Sequence, residues 1–262
     1  MRIVNAYASR IRDRLVPLRK TEIDGIKFYY SRGNEPQDPH AIGQTREMHQ
    51  ELDRMFGDTA IDVGAHIGSY TLRMARRFRH VIAFEPNPFN RYILGLNLQL
   101  NKNANVQVEE AALSDREDIS PLFLHRAADG TGSLNPLHYG FKYDRTVQVK
   151  VKKLDDFDLA KVDVLKIDAE GNELPILKGA TQTIERSRPI LAIEVHHAKG
   201  PGASCACETC TYIRFLNYDL RLLGEYTATP VHWVLARPAN PKSRFMTLKP
   251  VFQASTNPWS GQ

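Results

Sequence analysis

Asp62-Val63-Gly64-Ala65-His66-Ile67-Gly68 is the stretch that decides how this chain folds. It follows directly on the apolar run 59–63, and Glu85 closes the next apolar run, 80–85. A strand that ends in a tight glycine-bearing turn and opens a helix presents backbone N–H groups to a ligand. An acid at the end of the following strand can accept hydrogen bonds from both hydroxyls of a ribose. Together the two features describe a nucleoside-bearing cofactor lying across the carboxyl edge of a parallel sheet.

Outward from the loop, β and α patterns alternate. Strand 59–63 is followed by helix 68–78, strand 80–85 and a helix opening at Pro88, where proline suits a first turn. That helix carries Phe89, Ile93, Leu96 and Leu100 on one face. A third strand covers 106–113. After a polar excursion, 147–151 alternates as an edge strand would. The run 162–167 is nearly continuous in apolar residues, as expected of a strand covered on both faces. Helix 174–186, strand 189–195, helix 209–217 and strand-like segments at 220–223 and 231–236 complete the series. The pattern predicts an α/β fold, a Rossmann-like doubly wound sheet with right-handed crossovers.

Upstream, 41–56 reads as a helix and 21–30 as a hairpin or edge strand. Residues 1–20 place Ile3, Tyr7, Ile11 and Leu15 on one helical face, with Arg2, Arg10, Arg12, Arg14 and Arg19 mostly elsewhere. A basic amphipathic helix of this kind packs on its domain or a partner, or lies on an anionic membrane. The expected organisation is a helical and hairpin extension over 1–58, a catalytic domain over 59–237 and an irregular tail over 238–262.

The whole chain narrows the function classes. Its 262 residues, 42% hydrophobic, suffice for one substantial core. The 35 Lys and Arg are dispersed among 30 acids, and the formal charge of +5 gives no concentrated nucleic-acid footprint. No aromatic and basic motif of an RNA-binding module is present. No run approaches the roughly 18 apolar residues of a membrane span. No apolar segment follows the basic N-terminal residues as a signal peptide would require, so a cytoplasmic protein is expected.

The loop discriminates between cofactors. Nicotinamide and flavin sites need G-x-G-x-x-G, which Gly64-Ala65-His66-Ile67-Gly68 does not supply. The spacing is that of D-x-G-x-x-x-G in enzymes that use S-adenosylmethionine (SAM). A zwitterionic amino acid and an adenosine need fewer close backbone approaches than a pyrophosphate does. A second constellation, Lys166-Ile167-Asp168-Ala169-Glu170-Gly171, ends the strand over 162–167. Its two carboxylates share the ligand-binding edge with Asp62 and Glu85, where they could bind an amino group, orient an acceptor or remove a proton; the alternative is that one caps the next helix. Glu194-Val195-His196-His197 ends the following strand. Adjacent strand residues point to opposite faces, so at most one histidine can serve as a base there.

Asp62–Gly68, Phe84-Glu85-Pro86-Asn87, Glu110-Ala111-Ala112-Leu113-Ser114, Lys166–Gly171 and Glu194-Val195-His196 occur in order and at the expected intervals. The chain resembles the FkbM family of class I SAM-dependent methyltransferases over about 59–237. The resemblance implies a seven-stranded sheet with an antiparallel final hairpin ending at 231–236. It also implies methylation of hydroxyls on sugars or secondary metabolites, with a nitrogen or a macromolecule as the alternative acceptor. A non-catalytic SAM-fold module acting in a complex is the remaining alternative. Asp62, Gly64 and Gly68, with His66 between the glycines, would line the methionine side. Glu85, with Asn87 beside it, would hold the ribose, and Ser114 and Asp115 would lie near adenine. The sequence departs from the family at His66, where asparagine is common; an imidazole can still hydrogen-bond there.

A hydroxyl acceptor loses a proton on methylation, so a base is expected near the methyl group. Asp168 and Glu170 are the first candidates and His196 the alternative. Magnesium could assist among clustered carboxylates, but the sequence does not compel it. Gly130-Thr131-Gly132-Ser133-Leu134-Asn135 reads as a lid or acceptor loop, or as an ordinary exposed turn. Cys205, Cys207 and Cys210 are the chain's three cysteines. They could bind zinc with His196, His197 or His232, but the usual paired C-x-x-C motifs are absent. Reduced thiols or a local disulfide remain open, and no metal is assigned.

Overall fold

The computed structural model describes residues 17–37, 40, 44–125, 130–136, 143–196, 207–223 and 231–239. Its strands are β1 (Arg19–Ile23), β2 (Ile26–Tyr30), β3 (Gly57–Val63), β4 (Phe78–Phe84), β5 (Val106–Glu109), β6 (Ala111–Leu113), β7 (Asp118–Leu124), β8 (Arg145–Lys152), β9 (Val164–Ile167), β10 (Ile190–His196), β11 (Tyr218–Leu222) and β12 (Val231–Pro238). The α-helices are α1 (Gln44–Arg54), α2 (Thr71–Met74), α3 (Pro88–Asn101), α4 (Glu173–Lys178), α5 (Thr181–Ser187) and α6 (Glu208–Phe215). Among these residues no helix is long and apolar enough to cross a membrane.

The principal sheet has seven strands in the order β11-β12-β10-β9-β3-β4-β5. The pairs β5–β4, β4–β3, β3–β9 and β9–β10 are parallel. Strand β12 runs antiparallel to both β10 and β11. The expected fold class and final hairpin are therefore present. Both faces are covered. Ile61, Val63, Leu165 and Ile193 pack on α4–α6, whereas Ala60, Val81 and Ala192 pack with Met48, Leu52 and Met74 of α1 and α2. This double cover is why β3 and β9 read as apolar runs rather than as alternating ones.

Several boundaries differ from the sequence expectation, each for a physical reason. The run 106–113 is two strands: β5 stays in the principal sheet, and β6 leaves it to pair in parallel with β8. Segment 145–152 is consequently the centre of a second sheet, β6-β8-β7, and not an edge. Its edge is β7, which turns Ser120, Leu122 and Leu124 inward and exposes Ile119. Pro121 is tolerated there because β7 has a full strand partner, β8, on one side only, its other side meeting the chain in a single bridge at Phe123. The expected helix 68–78 is α-helical only over α2. The expected helix 174–186 breaks between α4 and α5 at Gly179, where a Cβ would stand 1.9 Å from the Ser114 carbonyl oxygen.

Helix α3 begins as expected, with the Asn87 side chain accepting from the Phe89 N–H at 3.0 Å and Pro88 in the first turn. Its buried face is rotated toward Leu94, Asn97 and Leu98, leaving Leu96 and Leu100 half-buried. The β1–β2 hairpin causes this. Asn97 Oδ1 accepts from the Tyr29 N–H and Asn97 Nδ2 donates to the Ile67 carbonyl, so a polar residue faces inward to hold two chain segments. The hairpin turns through Asp24 and Gly25, both left-handed, as a two-residue Asp-Gly turn requires. The amphipathic segment at 1–16, His197, Cys205 and the tail beyond Ala239 lie outside the described residues.

Candidate active site

The glycine loop follows β3 at the carboxyl edge of the principal sheet, against the end of β9. A Cβ at Gly64 would sit 1.8 Å from the Asp168 carbonyl oxygen, and its φ is +74°. Both demands exclude any other residue. The Gly64 and Ala65 N–H groups donate to the Phe84 carbonyl, each at 3.0 Å, which ties the loop to β4. His66 is also left-handed, with φ 54°. Histidine and asparagine are among the residues enriched in that conformation, so His66 keeps the backbone geometry that asparagine would give.

Beneath the loop lies a buried ion pair. Asp62 and Lys166 are register partners on β3 and β9, and Lys166 Nζ stands 3.0 Å from Asp62 Oδ1. It also donates to the Gly64 carbonyl at 3.1 Å, lies 3.7 Å from Asp168 Oδ2 and sits over the Tyr70 ring. Burial alone would lower the lysine pKa, but Asp62 and Asp168 hold it above its usual value. Thr71 Oγ1 donates to the other Asp62 oxygen at 2.5 Å. Asp62 is thus fully buried and shapes the loop without reaching the cleft. Gly68 does likewise, packed against Leu94 and Leu72.

Above the edge opens a cleft of about 460 Å³. At one end stands Glu85, 5% exposed, which accepts from the His66 N–H at 2.7 Å and the Asn87 N–H at 2.8 Å. Burial pushes its carboxyl up to about 7, against the pull of those N–H groups and of Arg91. Gly64, His66 and Asn87 line this end. Ser114 and Asp115 do not, since the preceding residues Ala111, Ala112 and Leu113 form the wall. Ser114 is fully buried, its N–H bonded to the Lys152 carbonyl and its hydroxyl donating to Asp115 Oδ1.

The other end is acidic. After β9 the chain turns through left-handed Glu170 and Gly171. Glu173 Oε1 accepts from the Gly171 N–H at 2.9 Å and lies 2.9 Å from His196 Nδ1. His196 Nε2 is 3.5 Å from Glu170 Oε2. Burial would lower the imidazole pKa, but Glu173 and Glu170 outweigh it and push the ring up to about 10. Both ring nitrogens of His196 already face carboxylates and the raised pKa favours the imidazolium, so His196 suits the role of base less well than Asp168. Glu194, half-buried beside Asp168, is raised well above the usual carboxylate range by desolvation and by the charge of Asp168. Asp168, Glu194 and His196 offer ligand atoms within 4.8 Å of one another, enough to hold a divalent cation if the imidazolium gave up its proton.

The segment 130–135 is part of the wall and not an exposed turn. Ser133 is buried, pairs with Phe123 through backbone bonds of 2.8 and 3.1 Å, and donates its hydroxyl to the Glu170 carbonyl at 2.7 Å. Gly130, Thr131, Gly132 and Leu134 line the cleft.

Sequence reasoning left Lys166, Glu173, Glu194 and Asn172 without roles. A lysine inside an apolar strand signals a buried partner, and Asp62 on the neighbouring strand supplies it. Glu173 and Asn172, whose Nδ2 donates to the Leu113 carbonyl at 2.7 Å, belong to a turn whose two left-handed residues the sequence does not announce.

Comparison with known proteins gives a consistent picture. The sequence model of the methyltransferase FkbM domain matches residues 62–220. Methyltransferase 1 of Beauveria bassiana is 31% identical over 142 residues, covering 45% of this chain and 57% of that protein. The hexuronic acid methyltransferase AglP of Haloferax volcanii is 28% identical over 148 residues, covering 55% of this chain and 58% of that protein. The chain thus spans less than two thirds of these relatives. In fold it is similar to the FkbM methyltransferase of Methylobacillus flagellatus, with a TM-score of 0.51 and 21% identity over 70% of this chain and 44% of that one. It is also similar to Trm5b of Pyrococcus abyssi, with a TM-score of 0.53 and 13% identity over 86% of this chain and 57% of that one.

Proposed function

The chain belongs to the FkbM family of methyltransferases, and from that premise we propose that it methylates a hydroxyl of a sugar or small metabolite with SAM as donor. The observation that carries the reading is the chemical inequality of the cleft's two ends. At one end Glu85 is a single fixed acceptor; at the other, Asp168 and Glu194 bring carboxyl oxygens within 4.8 Å of each other.

The donor set at the first end fits SAM. Each Glu85 oxygen accepts one backbone N–H and keeps a second lone pair for a ribose hydroxyl. Ala112, Leu113, Phe84 and Ile176 offer an apolar wall for a base. Gly64 and Asp168 would hold the amino-acid end. When bound, SAM supplies a methyl group already activated on a sulfonium, so alignment by the cleft delivers a large share of the rate.

The protein's remaining task is the acceptor proton. Asp168 lies 3.7 Å from the Lys166 ammonium and close beside Glu194, and a carboxylate of this pair can take a proton from a hydroxyl. Glu170 orients the acceptor from the turn that Ser133 and Glu173 fix. The His196 imidazolium holds Glu170 and Glu173 in place and balances their charge. AglP's action on a hexuronic acid makes such sugars the first acceptors to try. The experiment is transfer of an isotope-labelled methyl from SAM to a panel of hexuronic acids and hydroxylated metabolites, followed by mass spectrometry. An alkali-stable methyl ether is the expected product. Label on nitrogen, or SAM binding without any labelled product across cell extracts, would overturn the reading.

A further inference from the structure

Cys207, Cys210 and His232 converge on one point outside the chemistry described above. Cys207 is the N-cap of α6 and Cys210 lies in its first turn. His232 is the second residue of β12, opposite Val195 of β10. Cys210 and His232 are fully buried and Cys207 is half-buried. The two sulfurs and an imidazole nitrogen all lie within 4.8 Å of one another, and neither described thiol is in a disulfide. Cys210 Sγ and His232 Nε2 are 3.5 Å apart. A sulfur at about 2.3 Å and a nitrogen at about 2.0 Å from one tetrahedral ion stand roughly 3.5 Å from each other, so this pair is already at ligand spacing.

A thiol–imidazole hydrogen bond would account for two of the three residues. It does not account for the second sulfur, which the C-x-x-C spacing brings to the same point from the start of the helix. The Cys210 N–H donates to Cys207 Sγ at 3.4 Å, a contact that favours the thiolate over the thiol. Around the cluster the core is apolar, with Ile213, Val195 and Val234 in the same packing group as Cys210.

We propose that Cys207, Cys210 and His232 bind a structural zinc ion. Thiolate and imidazole donors suit zinc and disfavour magnesium or calcium. Binding replaces the two thiol protons, which pass to solvent, and takes Nε2 of a neutral imidazole as the third ligand. The ion would pin the start of α6 to β12. Val231, one residue before His232, lines the cleft from the opposite face of the strand, so the staple sits behind the wall and does not face the acceptor.

The test is metal analysis of the purified full-length chain, produced with zinc in the medium. About one zinc per chain is expected. Cobalt substitution should give a thiolate-to-cobalt charge-transfer band. Chelation should lower the Tm. Cys207→Ser, at the half-buried ligand, should keep a native circular dichroism spectrum while losing the band and most of the zinc. His232→Ala should lose zinc as well. Zinc below a tenth of an equivalent after incubation with the metal, without the cobalt band, would overturn the proposal. So would a Cys207–Cys210 disulfide in the native protein, or bound zinc that survives both substitutions.

Discussion

Glu85, buried, and Glu194, half-buried, stand at opposite ends of one cleft, and desolvation raises both pKa values. Their neighbours make them different instruments. Glu85 receives two backbone N–H groups, which tie it down and leave each oxygen a further lone pair at the cleft. Glu194 receives another carboxylate, Asp168, and the like charge drives it further up. The same desolvation thus yields a fixed acceptor where the neighbours are donors, and a carboxyl driven further up where they are acids. The Asp62–Lys166 pair beneath the sheet edge fixes both ends at once, because Lys166 touches the Gly64 carbonyl and lies beside Asp168.

The most damaging way to break the contrast is to remove that common support. Lys166→Met leaves Asp62 buried and uncompensated, and should cost about 3–5 kcal/mol in urea unfolding. A loss below about 1 kcal/mol would mean that the pair does not organise the edge. Glu194→Gln should lower kcat by about 10²–10⁴-fold while calorimetry shows SAM affinity nearly unchanged. Glu85→Gln should do the reverse, weakening SAM by about 10-fold or more with kcat at saturating SAM largely kept. If both variants changed the same parameter, the division of labour between the two ends would be wrong.

Two pH measurements refine it. On the proposed reading, in which ionised Glu85 accepts from the ribose hydroxyls of SAM, SAM affinity should rise through pH of about 7 and then level off. Glu85→Gln should remove that step. His196 has a folded-state pKa of about 10, above the ordinary imidazole value near 6.5. Its contribution to stability is complete below the ordinary value and lost as pH rises toward 10, so wild-type Tm should decline over that window. In His196→Gln the decline should be shallower.

The parallel order of the sheet was legible because each strand announces itself locally. Ala60–Val63 and Val164–Ile167 are buried throughout, Gly64 marks the turn after the first, and Asn87 and Pro88 mark the helix start after β4. The candidate acids were legible for the same reason: each stands within three residues of a strand end. What was hidden depends on contacts distant in sequence. Asp62 looks like a ligand residue until Lys166, 104 positions on, claims it. His196 looks like a base until Glu170 and Glu173 occupy both its nitrogens. Strand β7 escapes a period-two reading because an exposed isoleucine and an edge proline invert its pattern. The break between β5 and β6 is a change of partner strand, which a local apolar pattern does not record.

That break has a consequence for how such an enzyme can change. Past Glu109 the chain leaves the principal sheet, and β6, β7 and β8 gather a small apolar nucleus of their own around Ala112, Leu122, Leu124, Val149 and Val151. Leu122 and Leu134 from this annex form one side of the cleft, while Gly64, Glu85 and Asp168 come from the principal sheet. The annex is therefore a replaceable cheek on a fixed jaw. Grafting residues 118–152 from a relative would recast the acceptor side while the edge carrying Glu85 and Lys166 keeps its own foundations.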